Sequence, residues 1–287
     1  MEVVIGYSGR TTVKPSYTVN CSILLTDLPL LDRPQAAREA GFDAVEFWWP
    51  FDSPTPSDAE VSAFIRAIQN AGVRLSGLNF AAGDMAGGDR GILSDPALSA
   101  VFRDNVDVAV GIADTLGARA FNALYGNRAD DLSAASQDDA AAENLAFASA
   151  AAGAIGATVL IEPVSGAPRY PIRTAADAVR VIDRVRDDHG GTNLRLLADF
   201  YHLFVNGDDV SAAIAHYGDR IGHVQIADAP GRGEPGTGEI PLDRYLRQLF
   251  AAGYTGYVGL EYKQTRPDTF DWLPRAERGA TTETRIP

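Results

Sequence analysis

A helix-like run that closes on glycine and passes at once into an apolar, strand-like run occurs five times in this chain of 287 residues. Ala40-Gly41-Phe42 precedes AVEFWW, Ala71-Gly72-Val73 precedes RLSGLNF, and Leu116-Gly117-Ala118 precedes RAFNAL. Ile155-Gly156-Ala157 precedes TVLIE, and Ala252-Gly253-Tyr254 precedes TGYVGLE. Glycine ends helices because, lacking Cβ, it enters the left-handed region without strain. A short unbroken apolar run marks a strand covered on both faces. Three more such runs, TVNCSIL near residue 18, LRLLAD near 194 and GHVQIAD near 222, bring the strands to eight. Helices are expected over 33–40, 58–70, 97–115, 136–154, 174–187, 209–217, 241–251 and 268–277. Ser57 with Glu60 three residues on is a capping-box start, and Thr174 precedes another apolar-periodic run. Eight βα units in a chain of this length predict an α/β fold, a single closed (β/α)8 TIM barrel over 17–278. Residues 1–16 are expected to form a loose leader and 279–287 a flexible tail. The competing doubly wound open sheet lacks its glycine-rich dinucleotide fingerprint after the first strand.

Charge and cysteine content narrow the function. A net charge of -13 repels phosphate backbones and anionic lipid surfaces, so nucleic acid and membrane are poor partners, and a small anionic substrate would need local cations. The stretch from Leu145 to Ile161 is long and uncharged, but Ala, Gly and Ser compose most of it. It reads as a helix end, a glycine turn and a strand rather than a span. The first sixteen residues hold Glu2, Arg10 and Lys14 with no continuous apolar core, unlike an export signal. Cys21 is the single cysteine, which excludes an intrachain disulfide framework or a cysteine zinc cluster and fits a cytoplasmic location.

Four of the eight strand-like runs end on a residue with a metal-binding oxygen: Glu162, Asp199, Gln225 and Glu261. They fall on strands 5 to 8, neighbours in the barrel, at the face where such folds carry chemistry. Unpaired buried carboxylates cost several kcal/mol by rough estimate, so three converging would call for a cation or bound protons. An all-oxygen donor set suits Mg2+ or Mn2+ better than Zn2+ or Cu2+. Glu46 ends strand 2 in the same way and is expected away from this cluster.

The histidines divide by position. His189 and His216 fall near helix ends on the opposite face and read as solvated or capping residues. His223 shares the inward parity of Gln225, which makes it either an orienting residue behind the site or a satisfied core histidine. His202, three residues after Asp199, is a candidate substrate contact. Two glycine-rich loops, GDMAGGDRGIL at 83–93 and GRGEPGTGE at 231–239, could close over a substrate. Each holds one arginine, Arg90 and Arg232, whose planar forks suit a carboxylate. Lys263, at the parity of Glu261, is a further cation for a substrate anion.

Six segments carry a family likeness: VEFWWPFD (45–52), NFAAGDMAGGDRGI (79–92), IEPVSG (161–166), DFYH (199–202), HVQIADAPGRGEPGTGEI (223–240) and GLEYK (259–263). Together they make the chain resemble the hydroxypyruvate isomerase family, among the xylose-isomerase-like barrels and beside the ketose 3-epimerases. The likeness spans about residues 17 to 275. It implies that Glu162 and Glu261 are the acid/base pair and that all four strand-end residues bind the metal. The epimerases place histidine where this chain has Gln225, which favours the isomerase. The implied reaction interconverts hydroxypyruvate and 2-hydroxy-3-oxopropanoate (tartronate semialdehyde) through a cis-enediolate. Ser165 stands where asparagine is expected after Glu-Pro, and 166–172 also departs, which leaves two alternatives. One is the same chemistry on a four-carbon 2-oxo acid or a ketose; the other is a barrel that binds sugar acids without turnover. A homo-oligomer is compatible with the sequence, which does not fix the assembly.

Overall fold

The computed structural model describes residues 14–279. Eight parallel strands close into a barrel in chain order: β1 (Ser16–Asn20), β2 (Ala44–Phe47), β3 (Arg74–Asn79), β4 (Ala120–Asn122), β5 (Thr158–Ile161), β6 (Leu194–Asp199), β7 (Ile221–Ile226) and β8 (Tyr257–Leu260). Helices connect them: α1 (Arg33–Glu39), α2 (Asp58–Ala71), α3 (Ser99–Leu116), α4 (Ala134–Ala154), α5 (Ala175–His189), α6 (Phe200–Val205), α7 (Val210–Tyr217) and α8 (Leu242–Ala251). Closure is made by β1 pairing with β8, Val19 opposite Leu260.

The expected caps form. Ser57 and Glu60 make a reciprocal capping box on α2, which ends at Gly72 with φ 65°, and Thr174 caps α5 with Asp177 as its partner. Period-two alternation sorts the strand residues. Val19, Val45, Leu75, Phe121, Val159, Leu196, Val224 and Val258 belong to the large core shared with the helices. The opposite face fills the barrel axis with a small apolar cluster, Ala120, Leu160 and Leu197, and otherwise with buried polar groups.

Two expectations about elements are corrected. No helix forms over 268–277; only the turn Arg275–Glu277 is helical, as a 3-10 segment. Pro267 precedes the stretch and Pro274 interrupts it, and proline removes a backbone donor while steering the residue before it away from helix. Burial of Phe270 and Leu273, whose carbonyls accept from the Arg278 guanidinium, holds the segment against the barrel instead. The second correction is α6, which begins directly after β6 and was not expected. At the chain ends, Ser16 belongs to β1 rather than to a leader. The expectations for 1–13 and 280–287 lie outside the described residues. Among the described residues no helix is long and apolar enough to cross a membrane, and the Leu145 to Ile161 stretch divides into the end of α4 and β5.

Candidate active site

The C-terminal ends of the strands open into a cavity of about 370 Å3, whose lining includes Glu162, Glu261, His202, Arg232, Arg90 and Trp48. Asp199 and Gln225 lie side by side in the β6–β7 ladder, beneath it and fully covered. Asp199 divides its two oxygens. Oδ1 accepts the backbone N–H groups of Tyr201 and His202 and so caps α6, while Oδ2 is buried with no hydrogen-bond partner among the described residues. Gln225 is divided in the same manner: Nε2 donates, and Oε1 is buried and unpartnered.

The two glutamates have different surroundings. Glu162 accepts from Asn122 Nδ2 at 2.6 Å on Oε2, and its Oε1 lies 3.8 Å from His202 Nε2. Burial pushes its carboxyl up to about 8, with the Asp199 charge adding and the Asn122 hydrogen bond opposing. Glu261 accepts from three sides: Arg232 at 2.8 Å on Oε2, and the Trp48 indole and Asn20 Nδ2 on Oε1. Burial raises its carboxyl as well; Arg232 opposes the rise, and the charges of Glu162 and Asp199 add to it. Arg232 reaches this position from a left-handed backbone, φ 61°, an uncommon state for a residue with a side chain. Its guanidinium also lies 3.6 Å from Asp199 Oδ2 and over the Tyr201 ring.

A hydrogen bond to its other nitrogen fixes the tautomer of His202. The backbone N–H of Ser165 donates to Nδ1 at 3.0 Å, and Ser165 Oγ lies 2.7 Å from the same atom. Burial holds the ring pKa down to about 4, with Asp199 opposing, so the neutral ring carries its proton on Nε2 and presents a donor to the cavity. Ser165, at the position where asparagine was expected, therefore orients this histidine.

The loop from Asp228 to Ile240 is fastened rather than free. The Asp228 carboxylate accepts the backbone N–H groups of Ala229, Gly236 and Ile240, and the Glu234 carboxylate accepts from Thr265 and Thr269. Arg90, from the other glycine-rich loop, donates to the carbonyls of Met85 and Asp89 and keeps a place in the cavity lining. Lys263 departs from expectation. Strand β8 ends at Leu260, so alternation does not carry to 263; the Lys263 backbone turns to bond Arg232, and the residue is exposed.

A family model described as "Xylose isomerase-like TIM barrel" matches residues 34–282. The chain belongs to that family. A Streptomyces coelicolor protein, provisionally named a hydroxypyruvate isomerase, is 51% identical over 271 residues, 92% of this chain and 97% of its own. The Escherichia coli hydroxypyruvate isomerase is 34% identical over 249 residues, 86% of this chain and 93% of its own. The 2-oxo-tetronate isomerase of Cupriavidus necator is 33% identical over 252 residues, 87% of this chain and 93% of its own. This chain is accordingly an isomerase of the xylose isomerase-like group.

The donor groups of this isomerase fit a divalent metal. Ligand atoms of Glu162, Asp199 and His202 lie within 4.8 Å of one another. Among the described residues, Asp199 Oδ2 and Gln225 Oε1 accept no hydrogen bond and are buried acceptors of the sort a cation satisfies, although the Arg232 guanidinium stands 3.6 Å from the former. With its proton on Nε2, His202 is the poorer ligand of the cluster and the better donor to a bound oxygen.

One residue is corrected outright. Glu46 is not away from the cluster: its Oε1 accepts from Gln225 Nε2 at 2.8 Å, and its Oε2 lies 2.7 Å from His223 Nε2. His223 is thus a satisfied, buried histidine that bonds Glu46 behind the site, a contact that fits both readings of it. Asn20 and Trp48, which hold Glu261, were also missed. Trp48 lay within the quoted VEFWWPFD segment, two residues past Glu46, so the segment itself was the available signal.

Proposed function

We propose that this isomerase interconverts hydroxypyruvate and 2-hydroxy-3-oxopropanoate. The observation that carries the proposal is the pair Glu162 and Glu261 on one cavity, with buried oxygens of Asp199 and Gln225 that accept no hydrogen bond among the described residues. Glu162, Asp199, Gln225 and Glu261 would hold Mg2+ or Mn2+, whose charge would polarise the substrate carbonyl and ease loss of the neighbouring proton.

In the forward direction one glutamate, as carboxylate, takes a proton from C3, leaving a cis-enediolate. The other, as carboxylic acid, returns a proton to C2. The hydroxyl proton on O3 passes to O2, so C3 becomes the aldehyde and C2 the carbinol, with atoms and charge conserved. Burial lifts the Glu162 carboxyl to about 8, near the range a general acid or base needs, and raises Glu261 in the same direction. His202 Nε2 would donate to a substrate oxygen. Arg90 and Arg232 would receive the carboxylate, and Arg90 is the freer of the two because Arg232 is already shared with Glu261.

The test is a coupled assay on purified protein with hydroxypyruvate, first with EDTA and then with Mg2+ or Mn2+ restored. Activity that disappears and returns supports the proposal. Full turnover by Glu162→Gln or Glu261→Gln would sink it. The likeness to the Cupriavidus enzyme, in a cavity roomier than three carbons require, favours a four-carbon 2-oxo acid as the second substrate to try. A ketose in the same panel tests the epimerase alternative.

A further inference from the structure

Glu46 lies in the barrel interior, 3% exposed, and the acid/base chemistry makes no use of it. Three side chains from other strands meet its carboxylate: Gln225 Nε2 at 2.8 Å, His223 Nε2 at 2.7 Å and Asn20 Nδ2 at 3.3 Å. An amide offers a carbonyl oxygen at one end and two N–H donors at the other, and only the oxygen can bind a cation. Turned the wrong way, Gln225 would present hydrogens to the metal. A carboxylate accepts and does not donate, so contact with Glu46 compels Gln225 to turn its nitrogen toward β2. That leaves Oε1 as the atom without a partner.

The sheet is shaped to permit this contact. Gly259 pairs with Gln225 in the β7–β8 ladder. A Cβ on Gly259 would fall 2.7 Å from Glu46 Oε1 and 2.8 Å from Gln225 Cγ, both closer than a Cβ approaches other heavy atoms. The gap in the side-chain layer is therefore filled by the Glu46–Gln225 pair itself.

We propose that Glu46 is a positioning residue for the metal site. By taking the amide N–H of Gln225 it commits that side chain to offer its oxygen as ligand, and His223 and the bare backbone of Gly259 hold the pair in register. This rests on the metal site described above, and it adds a residue two strands beyond the four ligands. Outer partners of metal ligands typically contribute about tenfold to a hundredfold in affinity.

Calorimetric titration of metal-stripped protein with Mn2+ tests it without recourse to turnover. Glu46→Gln offers a donor as readily as an acceptor and should weaken Mn2+ binding by about tenfold or more. Gly259→Ala keeps every polar partner but crowds the pair; it should do the same, and it serves if Glu46→Gln does not fold. Ser76→Ala is the control. Ser76 is a buried polar residue whose hydroxyl bonds Thr18 and the Val45 carbonyl and touches no ligand, so it should bind Mn2+ as the parent does. Parent-like affinity in Glu46→Gln and Gly259→Ala, or equal loss in Ser76→Ala, would overturn the positioning role while leaving the metal site standing. A parent protein that takes up no Mn2+ would overturn both.

Discussion

Arg90 and Arg232 face one cavity but differ in what else they hold. Arg232 is half-buried and bonded to Glu261; desolvation opposes its charge, but Glu261, Asp199 and Glu162 together raise its pKa above the ordinary value. Arg90 donates, among the described residues, to carbonyls rather than to a carboxylate. Replacing Arg90 by Gln is therefore expected to raise KM for hydroxypyruvate by about tenfold to a hundredfold, the worth of one charged hydrogen bond, with little change in kcat. The gap between the acid and a neutral triose should narrow in the same variant, and steady-state kinetics on both substrates checks it. Glu162→Gln, by contrast, is expected to lower kcat by about two to four orders of magnitude while the fold is kept, as read from turnover beside circular dichroism. Glu162, Asp199, Gln225 and Glu261 were legible because polar residues closing apolar strands are conspicuous. Glu46 has the same signature but was misplaced. Counting strands along the sheet makes β2 remote from β7, whereas closure brings their side chains together across a narrow axis.

Among elements, α6 shows how a site residue can also build structure. Asp199 caps it with Oδ1 and faces the site with Oδ2, and the turn that follows delivers His202. Asn caps helices about as well as Asp. Asp199→Asn should accordingly keep the thermal stability of metal-free protein within a few degrees while binding Mn2+ far more weakly, which paired melting and titration would reveal. A stability change without loss of chemistry is expected outside the cavity lining: Ser57→Ala removes the α2 capping box, should destabilise by about 1 kcal/mol in a denaturant titration, and should leave turnover unchanged. The α2 cap was readable from two residues. The α6 helix was not, because six residues carry too little periodicity to stand out and the capping aspartate had already been assigned to the metal. The helix expected over 268–277 does not form because Pro274 interrupts it, a signal present in the sequence.

At the scale of the whole molecule, the buried acids link stability to pH and to metal. Glu162 holds its proton up to about 8 when folded but only to the ordinary carboxylate range when unfolded, and Glu261 shifts in the same direction. His202, lowered to about 4 from 6.5, acts only below its unfolded value. Between pH 6.5 and 8 the folded metal-free protein thus binds the extra protons, and its stability should fall as pH rises. Metal ligands must shed their protons, so Mn2+ should bind more tightly, and raise the melting temperature further, at pH 8 than at 6.5. Melting curves with and without the ion at both pH values check both signs. The loop from Asp228 to Ile240 has a consequence of its own. Clamped by two buried carboxylates, it gives Arg232 a fixed wall, so a substrate would meet a shape already cast. Selectivity engineered into this barrel would then come from recarving the mouth around Arg90, not from retuning a hinge.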